Sequence, residues 1–172
     1  MGTLVIQKTA PAPFKSKLIA WLPTLMWLVA IAFFSTDTFS AEHTGSILEK
    51  IINAIYGQIS PDHFRVIHVI VRKGAHFTVY GLLSLFAYYS WRMTLPRRAR
   101  WTFTWSVLAL LLTLLAASSD EIHQMFVPSR GPSSNDVLLD MMGAMFVQLL
   151  LASFTRCVKV LNRPSVLNIA RC

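Results

Sequence analysis

The chain has 172 residues and a formal net charge of +8, yet 54% of its residues are hydrophobic and only 14% are charged. Soluble domains carry about 25% charged residues, so this composition and the mean hydropathy of +0.51 indicate an integral membrane protein. Most basic residues flank hydrophobic runs, a placement typical of membrane topology, which argues against a nucleic-acid partner. Cys157 and Cys172 form neither a disulfide framework nor a zinc motif.

Four runs have the length of membrane spans, because about 20 residues cross the ~30 Å hydrocarbon core as a helix. We predict an all-α bundle of four transmembrane helices, with short tails at residues 1–17 and 156–172. A secretory signal is the alternative for the first run, but that run is longer than a usual signal. The predicted spans are residues 18–34, 75–91, 102–125 and 136–155.

The segment between the first two spans has a one-sided helical pattern. Its isoleucines and Leu48 recur at helical spacing, whereas Glu49, Lys50 and Asn53 lie opposite. This predicts an amphipathic helix at about 46–59 on the outer membrane surface; a helix packed on a small extramembrane core is the alternative. The following Ser60-Pro61-Asp62 has the residues of a helix start, with a hydroxyl N-cap and proline at the first position.

The distribution of charge predicts the orientation of the bundle. With four spans, most of the 16 Lys and Arg residues fall on the side of the two tails and the 92–100 loop. The positive-inside rule then places both termini in the cytoplasm. All eight acidic residues and all five histidines fall on the opposite, outer side.

Polar side chains gather at the outer ends of the last three spans, where they are costly to place without a function or a partner. They predict an outward-facing polar pocket at headgroup level. Lys73, His76 and Tyr80 share one helical face, and the other members come from the third and fourth spans and the turn between them. The predicted ligand-binding residues are Lys73, His76, Tyr80, Asp120, Glu121, His123, Gln124, Arg130, Asp136 and Asp140.

The same residues form three blocks in a fixed order. They are Lys73-Gly-Ala-His76 with Tyr80-Gly81, then Asp120-Glu121-x-His123-Gln124-x-Phe126-x-Pro128-x-Arg130, then Ser134-x-Asp136-x-x-x-Asp140-x-x-Gly143. Together they resemble the VanZ-like family of small bacterial membrane proteins, over about 67–155 and without the surface segment 42–60. The resemblance implies a four-helix membrane domain, here 18–155, and low-level teicoplanin resistance for the founding member. It implies no defined biochemical activity.

Two functional hypotheses fit this pocket. In the first, a binding protein holds an anionic or peptide envelope ligand, such as a lipid headgroup, a cell-wall precursor or the glycopeptide itself. In the second, an enzyme acts on a lipid-linked cell-wall precursor, with Lys73 and Arg130 holding the anion. No nucleophile motif accompanies the second. Its candidate general acids and bases are His76, Glu121, His123 and Asp136.

A purely structural interpretation is also open, in which the charges pair and tie three helices together. No metal site is predicted, because Glu121 and His123 point to nearly opposite sides of a helix and no His-Glu-x-x-His motif occurs. No cofactor is indicated, and membrane lipids are the expected partners. The remaining histidines, His43, His63 and His68, are interpreted as surface residues.

Overall fold

The computed structural model describes residues 14–36, 41–95, 103–126 and 133–161, and these residues form helices without any strand. The predicted all-α class is therefore confirmed. Pro23 lies inside the first helix, and the third helix is the longest. The helices are α1 (Phe14–Phe34), α2 (Ala41–Tyr56), α3 (Pro61–Thr94), α4 (Phe103–Gln124) and α5 (Ser134–Leu161).

Three helices of the described chain are long and apolar enough to cross a membrane: α1, α4 and α5. The predicted span 75–91 belongs to α3, which does not meet the same criterion of apolarity. Its 34 residues make a helix about 50 Å long. Because α3 contacts all four other helices, its polar Ser84 and Ser90 are fully buried, and less of its surface needs to be apolar.

The end of α2 differs from the prediction, whereas the start of α3 agrees with it. Helix α2 ends at Tyr56 and not at residue 59, because Gly57 adopts a φ of +79°, a left-handed conformation that ends helices. The predicted start of α3 is confirmed, with Ser60 at the N-cap and Pro61 next to it. The Ser60 hydroxyl does not cap the backbone; it hydrogen bonds with Nδ1 of His63 at 2.7 Å.

Side-chain contacts establish the directions of the helices. Helix α1 runs antiparallel to α3, since Trp21 donates to the Thr94 hydroxyl and Trp27 donates to the Val79 carbonyl, both at 2.9 Å. Helix α4 is also antiparallel to α3, with Trp105 packed against Tyr88 at a centroid distance of 6.1 Å. The C-terminal ends of α1 and α4 therefore lie at one end of the bundle.

Helix α5 runs parallel to α3 and approaches it very closely. A Cβ atom added at Gly143 would overlap the carbonyl oxygen of Phe77, and one at Gly81 would lie 3.2 Å from the Gly143 carbonyl oxygen. Further along, Gln148 donates to the Ser84 hydroxyl at 2.7 Å. We call this contact the α3–α5 seam; it brings the start of α5 to the same end as the C-termini of α1 and α4.

Candidate functional site

A cavity of about 500 Å³ lies at that end, between the last turn of α1, helix α2 and the middle of α3. This volume is within the ~300–1,000 Å³ range of small-molecule sites. Its walls are mainly apolar, and α4 contributes one carboxylate. The apolar lining residues are Ile31, Phe34, Ile47, Leu48, Ile51, Val71, Ala75 and Val79. The polar lining residues are Ser35, Thr44, His68, Arg72, His76, Tyr80 and Asp120.

The polar lining of α3 forms one stripe. His68, Arg72, His76 and Tyr80 follow one another at intervals of four residues, which places them on one helical face. His76 stacks on Tyr80 with ring centroids 6.3 Å apart and planes 19° from parallel. His68 stacks in the same way on Phe64, at 5.8 Å and 5°. The stacking holds both imidazoles along the helix axis, beside the cavity.

Several polar atoms of this cavity are buried without a hydrogen-bond partner among the described residues. They are Oγ of Ser35, Nε2 of His68 and the hydroxyl oxygen of Tyr80. The Asp120 carboxylate interacts with the Tyr80 hydroxyl, but outside normal hydrogen-bond geometry. Buried polar groups are nearly always paired, and an unpaired group costs about 1–3 kcal/mol. Three such atoms around one cavity suit a ligand that carries polar groups of its own.

His76 and Asp140 form a hydrogen-bonded pair between α3 and α5. Nδ1 of His76 lies 3.2 Å from Oδ1 of Asp140, and the exposed fractions of the two side chains are 18% and 4%. Asp140 itself does not line the cavity. The pair therefore connects the cavity stripe to the α3–α5 seam.

The carboxylate of Asp120 is held by its own helix. Nε2 of Gln124, a buried residue, donates to Oδ2 of Asp120 at 2.8 Å. This bond uses part of the acceptor capacity of the carboxylate and orients it. Gln124 thus contributes to the site by positioning Asp120 and does not line the cavity.

Glu121 has a different contact, at the junction of α4 and α5. Its Oε1 accepts a hydrogen bond from the backbone N–H of Ser133, the residue before α5. The backbone N–H of Asp136 donates to the Ser133 carbonyl at 2.8 Å in the first turn. Glu121 therefore holds the start of α5, a role that an acidic residue of the same helix has in a capping box.

The remaining predicted site residues lie elsewhere. Lys73 and His123 are exposed and do not line the cavity, and Arg130 lies outside the described residues. The interpretation of His68 as a surface residue was wrong, since its Nε2 is buried beside the cavity. Arg72, which the sequence reasoning also missed, lines it; the four-residue spacing with His68 and His76 was the available signal. Within the described chain, no three His, Cys, Asp or Glu side chains are close enough to share a metal ion.

The three apolar helices and the polar residues at their common end define an all-helical protein of the membrane class. The family model of VanZ/LLP1 matches residues 19–155. The chain therefore belongs to the VanZ/LLP1 family, and the match extends the sequence resemblance to α1 and α2. No curated protein and no solved structure matches the chain.

Proposed function

We propose that this chain is a binding protein of the bacterial cytoplasmic membrane whose cavity holds an anionic or peptide ligand of the cell envelope. The observation that carries the proposal is the cavity of about 500 Å³, which joins apolar walls to buried polar atoms without partners. Apolar walls with a few convergent polar groups are typical of ligand sites. In this proposal α3 is a fourth span and α2 lies at the outer membrane surface.

The two ends of the bundle support this orientation. Asp120, Asp136 and Asp140 lie at the cavity end, whereas Lys17 and Arg92 belong to the other ends of α1 and α3. Basic residues are concentrated on the cytoplasmic side of membrane proteins. The cavity then opens toward the outside of the cell, with both termini in the cytoplasm.

Binding is favoured over catalysis by the partners of the candidate acids and bases. His76 pairs with Asp140, and Glu121 accepts from the Ser133 backbone. These contacts tie helices together and leave no described pair of acid and base arranged around a nucleophile. An enzyme that acts on a lipid-linked cell-wall precursor stays the second candidate, since His76 and Asp120 both line the cavity.

Binding and turnover can be separated in one experiment. Purified protein is incubated with a lipid-linked cell-wall precursor, with a soluble stem peptide and with teicoplanin, and complexes and products are followed by mass spectrometry. We expect complexes without products. Ile51→Trp fills the cavity from α2, and Ile55→Trp, one turn further and outside the lining, is its matched control. Product formation that is lost in Glu121→Gln and Asp136→Asn would instead support the enzyme, and no complex with any ligand would reject the binding proposal.

Teicoplanin resistance, which the family resemblance implies, can be tested in cells. When the chain is expressed in a teicoplanin-sensitive bacterium, we expect a modest rise in the inhibitory concentration of teicoplanin, lost in Ile51→Trp and kept in Ile55→Trp.

The topology is tested separately with a reporter that is active only outside the cytoplasm. Fused after Arg98 it should be inactive, and fused after Gly57 it should be active; the reverse pattern would reject the orientation.

A further inference from the structure

We infer that the occupant of the cavity is a phosphate-bearing lipid, with its hydrocarbon chain between α1 and α2 and its phosphate at Arg72. This inference rests on the proposed binding function and selects one ligand class from the envelope molecules that it allows. Three features of the cavity support it: the apolar walls, the guanidinium of Arg72, and the polar side chains of Tyr80 and Asp120.

The apolar walls favour a hydrocarbon chain over a peptide. Ile31 and Phe34 of α1 line the cavity together with Ile47, Leu48 and Ile51 of α2. A stem peptide placed along these side chains would lose hydration of its amide groups without gaining hydrogen bonds, which costs several kcal/mol at the most apolar limit. A hydrocarbon chain has no polar groups that would lose hydration there, and its burial is favourable in proportion to its area.

Arg72 supplies the group that selects a phosphate. It is the one Lys or Arg side chain among the described residues that line the cavity, and its neighbour Lys73 is exposed outside it. A guanidinium binds phosphate oxygens bidentately. His68 lies one turn away on the same face, and its buried Nε2 has no partner in the described chain. A phosphate oxygen at Arg72 would give this nitrogen an acceptor.

The opposite end of the stripe suits an uncharged or cationic part of the headgroup. Tyr80 and Asp120 lie there, and eight residues separate Tyr80 from Arg72, about 12 Å along the helix. The Asp120 carboxylate repels a phosphate but accepts hydrogen bonds from a hydroxyl or an ammonium group. The charge pattern therefore orients the lipid, with the phosphate toward Arg72 and a donor-bearing substituent toward Asp120.

Native mass spectrometry of the full chain in a nonionic detergent tests this inference. The probes are lysophosphatidylglycerol, a monoacylglycerol with the same chain, glycerol 3-phosphate and a soluble cell-wall stem peptide. We expect lysophosphatidylglycerol to bind, and the two probes that carry only its chain or only its phosphate to bind at least tenfold more weakly. Arg72→Gln should weaken lysophosphatidylglycerol about tenfold to a hundredfold, whereas the matched Lys73→Gln should leave its affinity unchanged.

Each other outcome has a defined meaning. Equal binding of the monoacylglycerol, or no loss in Arg72→Gln, would overturn the phosphate assignment. Binding of the stem peptide in place of the lipid would overturn the lipid inference and keep the proposed function. Absence of binding by all four probes, with the folded state verified by thermal unfolding, would count against both. Equal losses in Arg72→Gln and Lys73→Gln would indicate general surface charge and overturn the site.

Discussion

Helix α3 makes two very different contacts, one with α5 and one with α1 and α2. Toward α5 it is closed: Gly143 lies against the Phe77 backbone, and Gln148 satisfies the Ser84 hydroxyl at 2.7 Å. Toward α1 and α2 it is open, with a cavity and the unpaired polar atoms of Ser35, His68 and Tyr80. One helix thus combines a tightly packed seam with an open, partly polar wall.

The difference shows how a small bundle can keep a cavity. Helices that are packed closely on every side would close around any space, because dispersion and burial favour contact. Here the seam holds α3 at a short distance from α5. Because α3 is long, its polar stripe extends past the seam and reaches α2. Close packing against α5 thus coexists with a cavity toward α1 and α2.

The largest expected effect is a loss of stability at the α3–α5 seam. Gly143→Ala places a Cβ against the Phe77 carbonyl oxygen, so the helices must separate, and we expect a loss of about 3 kcal/mol or more in unfolding free energy. Gly74→Ala is the control, since a Cβ there meets nothing within 4 Å. Replacement of this helical glycine should raise the unfolding free energy by about 0.5–1 kcal/mol. Reversible unfolding in mixed micelles measures both. Equal stabilities of the two variants would contradict the close seam.

An intermediate effect is expected at the His76–Asp140 pair, which connects the two sides. His76→Phe leaves the Asp140 carboxylate, exposed by only 4%, without its partner, and should cost about 2 kcal/mol. In the double variant His76→Phe/Asp140→Leu both polar partners are absent, and much of the loss should be recovered. A double-mutant cycle measures the coupling, expected at about 0.5–3 kcal/mol. A coupling near zero would show that the seam and the stripe are independent.

The smallest effect compares two buried hydroxyl groups on successive turns of α3, those of Ser84 and Tyr80. Ser84→Ala removes an oxygen that accepts from Gln148 and should cost about 1 kcal/mol. Tyr80→Phe removes an oxygen that interacts with Asp120 only outside normal hydrogen-bond geometry, so the unliganded protein should keep its stability or gain up to about 1 kcal/mol. The same unfolding measurement decides. Similar losses in both variants would show that the Tyr80 hydroxyl is as well satisfied as that of Ser84.

Part of the site could be predicted from the sequence because it depends on local patterns. The dense polar blocks near His76, Asp120 and Asp140 stood out against apolar runs, and their order indicated the family that the match over residues 19–155 confirms. The assignment of cationic residues was less successful. Arg72 and Lys73 are adjacent, and successive residues of a helix point about 100° apart. Which of them lines a cavity depends on the rotation of α3 relative to its neighbours, which no local pattern specifies.

By itself, the sequence determined the helical class, the three strongly apolar helices, the segregation of acidic residues and the family. Hydrophobic periodicity and charge placement act through nearby residues and the surrounding solvent, so they are readable along the chain. Only the tertiary structure decided that Gly143 meets Phe77 and that His68 lines a cavity. Those features depend on helix rotation and close approach, which arise when distant segments pack together.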